Sequence, residues 1–413
     1  MSISTFSFTA NGITYHPPAA PIVVICLDGS ADEYLDTALA FDRMPHLKNM
    51  IQHGYRGMVR GALPSFTNVN NSSIVTGVPP SVHGICGNYF YDAALDQEVM
   101  MNAAAYLRAE TLLAAAANAG RKVAVVTAKE KLRDILSHNL QGIAFSAEKA
   151  AAATIATHGI DDVEQLTGQP APAIYSAAAS LFVLRAGNAL LRAGRADFLY
   201  LSLTDYMQHT YAPEAPESLD FYADIDHELG LLLEAGAIVG ATADHGMNAK
   251  QLPDGSPNVR YVETLLDEQF GKGSRVICPI TDPYVKHHGA LGSYVVVHLA
   301  DPSRTAEIGR WLLAQPGITE VYDRETAVRL LEQPADRIGD LVVLSARNVV
   351  LGRTPAHHDL SALDSGLRSH GGRYEEMVPL LISHPLNRTY LQKAAGDARN
   401  FDVFDFTING TGK

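Results

Sequence analysis

Five short runs in this chain are apolar almost throughout rather than at every second position. They are IVVICL (22–27), VAVVTA (123–128), FLYLSL (198–203), AIVGATA (237–243) and VPLLIS (378–383). A strand with one wet face alternates in polarity, whereas a strand covered on both faces does not. Ala/Leu-rich stretches of helical length separate the runs, as at 103–120, 176–194 and 218–235. This alternation predicts an α/β fold with a largely parallel central sheet flanked by helices. Hydrophobic residues make up 47% of the 413 positions, ample for a sizeable core. That length sets a soft expectation of about two to three domains.

The stretch from 251 to 362 breaks the pattern. It opens with the turn-rich QLPDGSPNVR. GSYVVVHLADPS, TAEIGRWLLAQPG and DLVVLSA then follow at short spacing. We expect a small α+β unit here, inserted as a cap into a core made of residues 1–250 and 363–413.

Several classes of partner are disfavoured. A net charge of −13 argues against nucleic acid, whose binding needs clustered Lys and Arg. It does not argue against a small anion held by metal ions. The apolar runs fall short of the roughly 20 residues of a membrane span. The three cysteines, Cys26, Cys86 and Cys278, form no C-x-x-C pair, which suits a reducing compartment. MSISTFSFTANGITYHPP has no basic region followed by a long apolar stretch, so a cytoplasmic protein is expected.

The chemistry lies at the strand ends. Asp28 closes the first run. Asp205 follows the third, with His209 four residues on. Asp244 and His245 close the fourth, and His370 lies in RSHGG shortly before VPLLIS. Ligands of open parallel sheets bind beyond the carboxyl ends of the strands. Three carboxylates gathered there repel one another, and divalent cations resolve the conflict. Asp, His and a hydroxyl suit Zn²⁺. Six or seven ligands are too many for one tetrahedral site, so two sites are the natural count. Singly, each residue has an ordinary reading: Asp28 as a cap, Asp205 and His209 as a surface pair, His370 as a loop histidine. Their convergence is what points to a metal centre. His287–His288 and His357–His358 lack a nearby strand-end acid and read as surface or supporting residues, although His288 could face the site.

Thr67, in PSFTNVNNSSIVTG, stands just before what reads as a short helix. A helix N-terminus favours phosphate-like anions, and a hydroxyl beside a metal ion can attack as an alkoxide. The plain alternative is that Thr67, Ser65 or Ser72 only caps that helix.

Six motifs then carry a resemblance: LDG (27–29), PSFTNVN (64–70), TGVPPSVHG (76–84), TDYMQH (204–209), ADHGM (243–247) and SHGG (369–372). In this order, spanning about 22 to 385, they resemble the alkaline phosphatase superfamily in its threonine-nucleophile branch. The resemblance implies one zinc ion held by Asp205, His209 and His370. It implies a second held by Asp28, Thr67, Asp244 and His245, with Thr67 as nucleophile. Sulfatases are set aside, because no C/S-x-P-x-R setting stands at 64–70. NNSSIVTGVPPSVHGICGNYFYD, TAKEKLRD (127–134) and ICPITDPYVKHHGALGS (277–293) are similar to stretches of the branch members that cleave the carbon–phosphorus bond of a small carboxylated phosphonate.

That likeness implies a phosphothreonine intermediate and a small phosphonate substrate. It implies that Lys129 and Lys131 hold the substrate carboxylate and that Asn88 donates to a phosphonate oxygen. A homodimer is the family expectation. The bland readings are a solvated loop around Glu130 for the lysines and a turn beside Gly87 for Asn88. Nucleotide pyrophosphatase relatives have Pro where this chain has Val69, a change that removes no ligand. Two rival functions stand: a phosphodiesterase or nucleotide pyrophosphatase on the same zinc ions, and a zinc-stabilised binding protein without turnover.

Overall fold

The structure is a computed structural model that describes residues 3–282, 288–361, 363 and 366–411. All five apolar runs form strands, and two further strands join them. In chain order they are β1 (Ile22–Cys26), β2 (Tyr55–Arg60), β3 (Val123–Thr127), β4 (Ile143–Ser146), β5 (Phe198–Ser202) and β6 (Ile238–Thr242). A second sheet follows, made of β7 (Arg275–Ile277), β8 (Tyr294–His298), β9 (Ile318–Asp323) and β10 (Leu341–Ser345). The chain then returns to the first sheet as β11 (Met377–Ile382).

The main sheet has the order β2-β11-β6-β1-β5-β3-β4. The five strands from β6 to β4 are parallel, whereas β11 runs antiparallel to both of its neighbours. The sheet is therefore mixed. The reversal matters: β11 begins at the edge where β6 ends, so the residues just before β11 lie beside those just after β6. Every residue of β1, β3, β5 and β6 is buried, as their unbroken apolar patterns require. One apolar cluster covers one face with the helices Ala177–Arg192 and Pro216–Glu234. A second covers the other face with Leu112–Asn118 and Val403–Ile408.

The second sheet, ordered β7-β8-β10-β9, is antiparallel throughout. The helices Thr305–Leu313 and Arg324–Leu330 belong to the same stretch of chain. Its apolar interior, including Val295, Val343 and Leu312, runs on into Phe66 and Val69 beside the Thr67 motif. Among the described residues, no helix is long and apolar enough to cross a membrane.

Candidate active site

The carboxyl edge of the main sheet collects the strand-end residues. Asp28 follows β1 by two positions, Asp205 follows β5 by three, and Asp244 follows β6 by two. Gly29 turns the chain behind Asp28 with φ of 69°. A Cβ there would stand 2.8 Å from the Cβ of Asp205, so both the backbone and the close approach demand glycine. His370 arrives from the reversed side. A short antiparallel ladder pairs Asn248–Ala249 with Arg368–Ser369 and sets His370 against the 244–247 loop.

Two triads result, Asp205 with His209 and His370, and Asp28 with Asp244 and His245. In each, the donor atoms lie within 4.8 Å of one another, and all six residues are buried. His209 Nε2 is 3.0 Å from Asp205 Oδ2, and His245 Nε2 is 3.3 Å from Asp28 Oδ1. The two groups adjoin, since His370 Nε2 is 3.7 Å from Asp205 Oδ2 and the His245 and His370 rings stack at 3.5 Å.

All three histidines face a main-chain carbonyl with Nδ1: Arg368 O for His209, Gly246 O for His245 and Ser65 O for His370, at 2.7–2.9 Å. A carbonyl only accepts, so each Nδ1 carries the proton and each Nε2 lone pair faces the acids. That is the tautomer a metal ligand needs, oriented by its outer hydrogen bond. Asp28 Oδ1 is buried without a hydrogen-bond partner. Lone pairs facing carboxylates, beside a carboxylate oxygen with no donor, form an arrangement that a divalent cation completes.

The charges agree. Burial, then the charges of Asp205 and Asp244, push the Asp28 carboxyl well above its ordinary range. Burial pushes Asp244 up to about 6, with the Asp205 charge adding to it. Burial also acts on Asp205, but Lys129 and then His209 overcome it and hold that carboxyl well below its ordinary range. Burial and the neighbouring His245 and His209 depress His370, which keeps it neutral.

Thr67 is the first residue of the helix Thr67–Thr76, rather than the residue before it. Phe66 takes the cap position, and no side chain caps the helix there, so none of Thr67, Ser65 and Ser72 serves as the cap. Ser65 instead donates to Gly372 O. Thr67 Oγ1 points at the second triad, 3.5 Å from His245 Nε2. Asn71, one turn on, donates to Thr67 O and to Asp244 Oδ2, and its own oxygen accepts from Tyr200 and Ser202. The Asn68 backbone N–H donates to Asn88 Oδ1 at 3.1 Å. This fixes the Asn88 amide orientation and leaves Nδ2 as the group able to donate elsewhere.

Lys129 and Lys131 are not on a solvated loop. Their side chains are 12% and 16% exposed. Lys129 Nζ reaches Asp205 Oδ1 at 3.3 Å, and Lys131 Nζ pairs with Asp282. Both lysines line a cavity of about 420 Å³ with Tyr175 and Asp282. The His288 ring lies 5.3 Å from the His209 ring. His358 is tied to Gly289 O and the Arg353 N–H, while His287 lies outside the described residues.

Sequence reasoning passed over three residues. Asp282 stands in PITDP, after a strand-like run, which was a usable signal. Asn71 reads as an ordinary helix residue. Glu375 accepts from Gly372 N, Asn248 Nδ2 and Lys250 Nζ, and its carbonyl accepts from Gly246 N. Nothing local in the sequence marks it.

A mixed α/β sheet with two adjoining triads able to hold metal ions and a threonine at a helix start defines a class, and the sequence agrees. Residues 22–372 match the family of type I phosphodiesterases and nucleotide pyrophosphatases. The chain belongs to that family, within the alkaline phosphatase superfamily.

Among solved structures, it is similar over its length to phosphonoacetate hydrolase from Sinorhizobium meliloti 1021, in complexes with phosphonoformate and with phosphonoacetate. Each match has a TM-score of 0.94 at 47% identity and covers 99% of this chain and 100% of the other. Murine ectonucleotide pyrophosphatase/phosphodiesterase 5, in an inactive form with AMP, matches at a TM-score of 0.63. At 16% identity over 95% of this chain and 96% of its own, that likeness is one of fold. Venom phosphodiesterase of Naja atra is 32% identical over 84 residues, which are 20% of this chain and only 10% of that protein.

Proposed function

We propose that this protein hydrolyses the carbon–phosphorus bond of phosphonoacetate, giving acetate and phosphate, with two zinc ions per chain. The observation that carries the reading is the juxtaposition of the half-buried Lys129–Lys131 pair with the triads. It offers cations for a carboxylate within reach of a site for phosphonate oxygens. The full-length likeness to phosphonoacetate hydrolase supports it.

In this reading Asp205, His209 and His370 hold one zinc ion, and Asp28, Thr67, Asp244 and His245 hold the other. When bound, the metals supply positive charge to the phosphonate oxygens and lower the pKa of the Thr67 hydroxyl. Thr67 Oγ1 gives up its proton to solvent and attacks phosphorus in line with the carbon–phosphorus bond. That bond breaks with its electron pair left on the acetate carbon, as an enolate whose charge is drawn onto the carboxylate. Lys129 and Lys131 face that carboxylate, where the charge develops, and so act in the transition state. The carbon takes a proton from solvent. Asn88 Nδ2 donates to a phosphonate oxygen. Water then cleaves the phosphothreonine, releasing phosphate and restoring the hydroxyl. The segment 251–362 acts as the cap that excludes bulk water, and its deletion should abolish turnover of so small a substrate. A cytoplasmic homodimer completes the reading.

The test is phosphate release from phosphonoacetate by the zinc-loaded protein, with acetate quantified in parallel. Equal amounts of both, lost in Thr67→Ala with metals retained, are expected. Absence of both products from the native protein would discard the substrate. The family match favours one second reading, a phosphodiesterase on the same site. Faster release of nitrophenol from a nucleotide nitrophenyl ester than of phosphate from phosphonoacetate would select it.

A further inference from the structure

Lys129 and Lys131, only two apart in the chain, line one cavity together with Lys149 and the acids Glu130, Asp134, Glu148 and Asp282, and Lys129 links it to the triads through Asp205. Burial, and then the Lys129 charge, push Lys131 down from the ordinary lysine range. Left to themselves, such neighbours shed a proton or turn one side chain to solvent. Lys129 is compensated from the main sheet by Asp205. Lys131 is compensated from elsewhere: Asp282, 4% exposed in its side chain, comes from the loop after β7, 151 residues away in sequence.

We propose that Asp282 is the positioning residue for carboxylate recognition: it holds the Lys131 ammonium aimed into the cavity beside Lys129, so that a ligand bearing a carboxylate next to its phosphonate meets two cations. This rests on the phosphonoacetate reading and deepens it. The discrimination is built across two parts of the fold, because the lysines stand on the main α/β layer and the aspartate on the second-sheet segment. An anion without a carboxylate makes no use of Lys131, so its binding is indifferent to Asp282. A merely structural aspartate would affect both kinds of anion alike.

The experiment is calorimetric titration of the zinc-loaded protein with phosphonoformate and, separately, with methylphosphonate. It is run on the native chain and on Asp282→Asn. A charge-assisted hydrogen bond contributes enough that its loss weakens phosphonoformate about tenfold or more. The methylphosphonate constant should move by less than about twofold, which also shows that the variant is folded and metal-loaded. Lys131→Met should reproduce the same split. Equal shifts for both ligands, or no shift for either, overturn the role of Asp282. A native protein that binds the two ligands equally well fails at an earlier point, because it then has no carboxylate site and the phosphonoacetate reading itself falls.

Discussion

The two triads share an edge of the sheet but face different electrostatic problems. Asp205 stands with two histidines and is touched by Lys129, and its carboxylate is ionised well below the usual range. Asp28 and Asp244 stand with one histidine, and both are pushed upward, chiefly by burial. The first triad is close to balanced by the protein alone. The second carries an excess of negative charge that a bound cation relieves, and it is the one that Thr67 faces. Burying charge without a partner is costly, so on the proposed reading this imbalance marks the half where a bound metal would be most tightly coupled to Thr67.

The largest expected effect comes from breaking one triad at a time. His209→Ala and His245→Ala should each lose several kcal/mol of transition-state stabilisation, a fall in turnover of about a thousandfold or more. They should differ in what accumulates. His209→Ala leaves the Thr67–His245 contact in place, so mass spectrometry after incubation with phosphonoacetate should find a phosphoryl group on Thr67. His245→Ala removes that contact, and Thr67 should stay unmodified. Phosphorylation of Thr67 in both variants, or in neither, would erase the distinction between the triads.

The next effect tests what joins them. The Glu375 carboxylate holds Gly372 in the His370 loop, while its main-chain carbonyl holds Gly246 beside His245. All the groups that approach the carboxylate are donors, including the fully buried Lys250. Glu375→Gln turns an amide N–H₂ toward one of them and breaks a buried ion pair, which typically costs about 3–5 kcal/mol. Denaturant unfolding should report that loss. Metal titration should show weaker binding, by about 10–100-fold, chiefly at the Asp205–His209–His370 triad, because the Gly246 bond survives the substitution. Equal weakening at both sites would mean that Glu375 supports the edge as a whole.

Much of this was legible in the chain. Apolar runs without alternation betray strands covered on both faces, and the strands lie where those runs are. Two strands were not legible. Tyr55–Arg60 is a polar edge strand with Arg at both its second and last positions, and Ile143–Ser146 is only four residues long. Strand direction was also hidden. VPLLIS looks the same whichever way it runs, and only its antiparallel pairing explains how a histidine before a strand meets acids that follow strands. The acids and histidines announced themselves by position. Their supports did not, because Lys250 and Glu375 are 125 residues apart and Lys131 and Asp282 are 151 apart. Pairing at such separations leaves no local pattern to read.

The smallest expected effect measures the imbalance directly, in metal-free protein. Asp244 titrates at about 6 in the fold against an ordinary 3.8. A raised carboxyl contributes stability that is fully present below the ordinary value and is lost as pH rises through the folded value. Native protein treated with chelator should therefore lose ground to Asp244→Asn between about pH 4 and about pH 8, by at most about 3 kcal/mol. Any fixed penalty from the new amide is the same at both ends and cancels. Asp205 has the opposite sign. Its depressed carboxyl contributes stability that is present above the ordinary value and disappears only as pH falls through the lower folded value. The difference between native protein and Asp205→Asn should thus stay flat from about pH 8 to about pH 5 and shrink only in more acid solution. Urea unfolding of the three proteins across that range decides the matter. Parallel curves for Asp244→Asn and Asp205→Asn would show that the two triads carry the same charge burden, and the coupling of the Thr67 side to its metal would then need another cause.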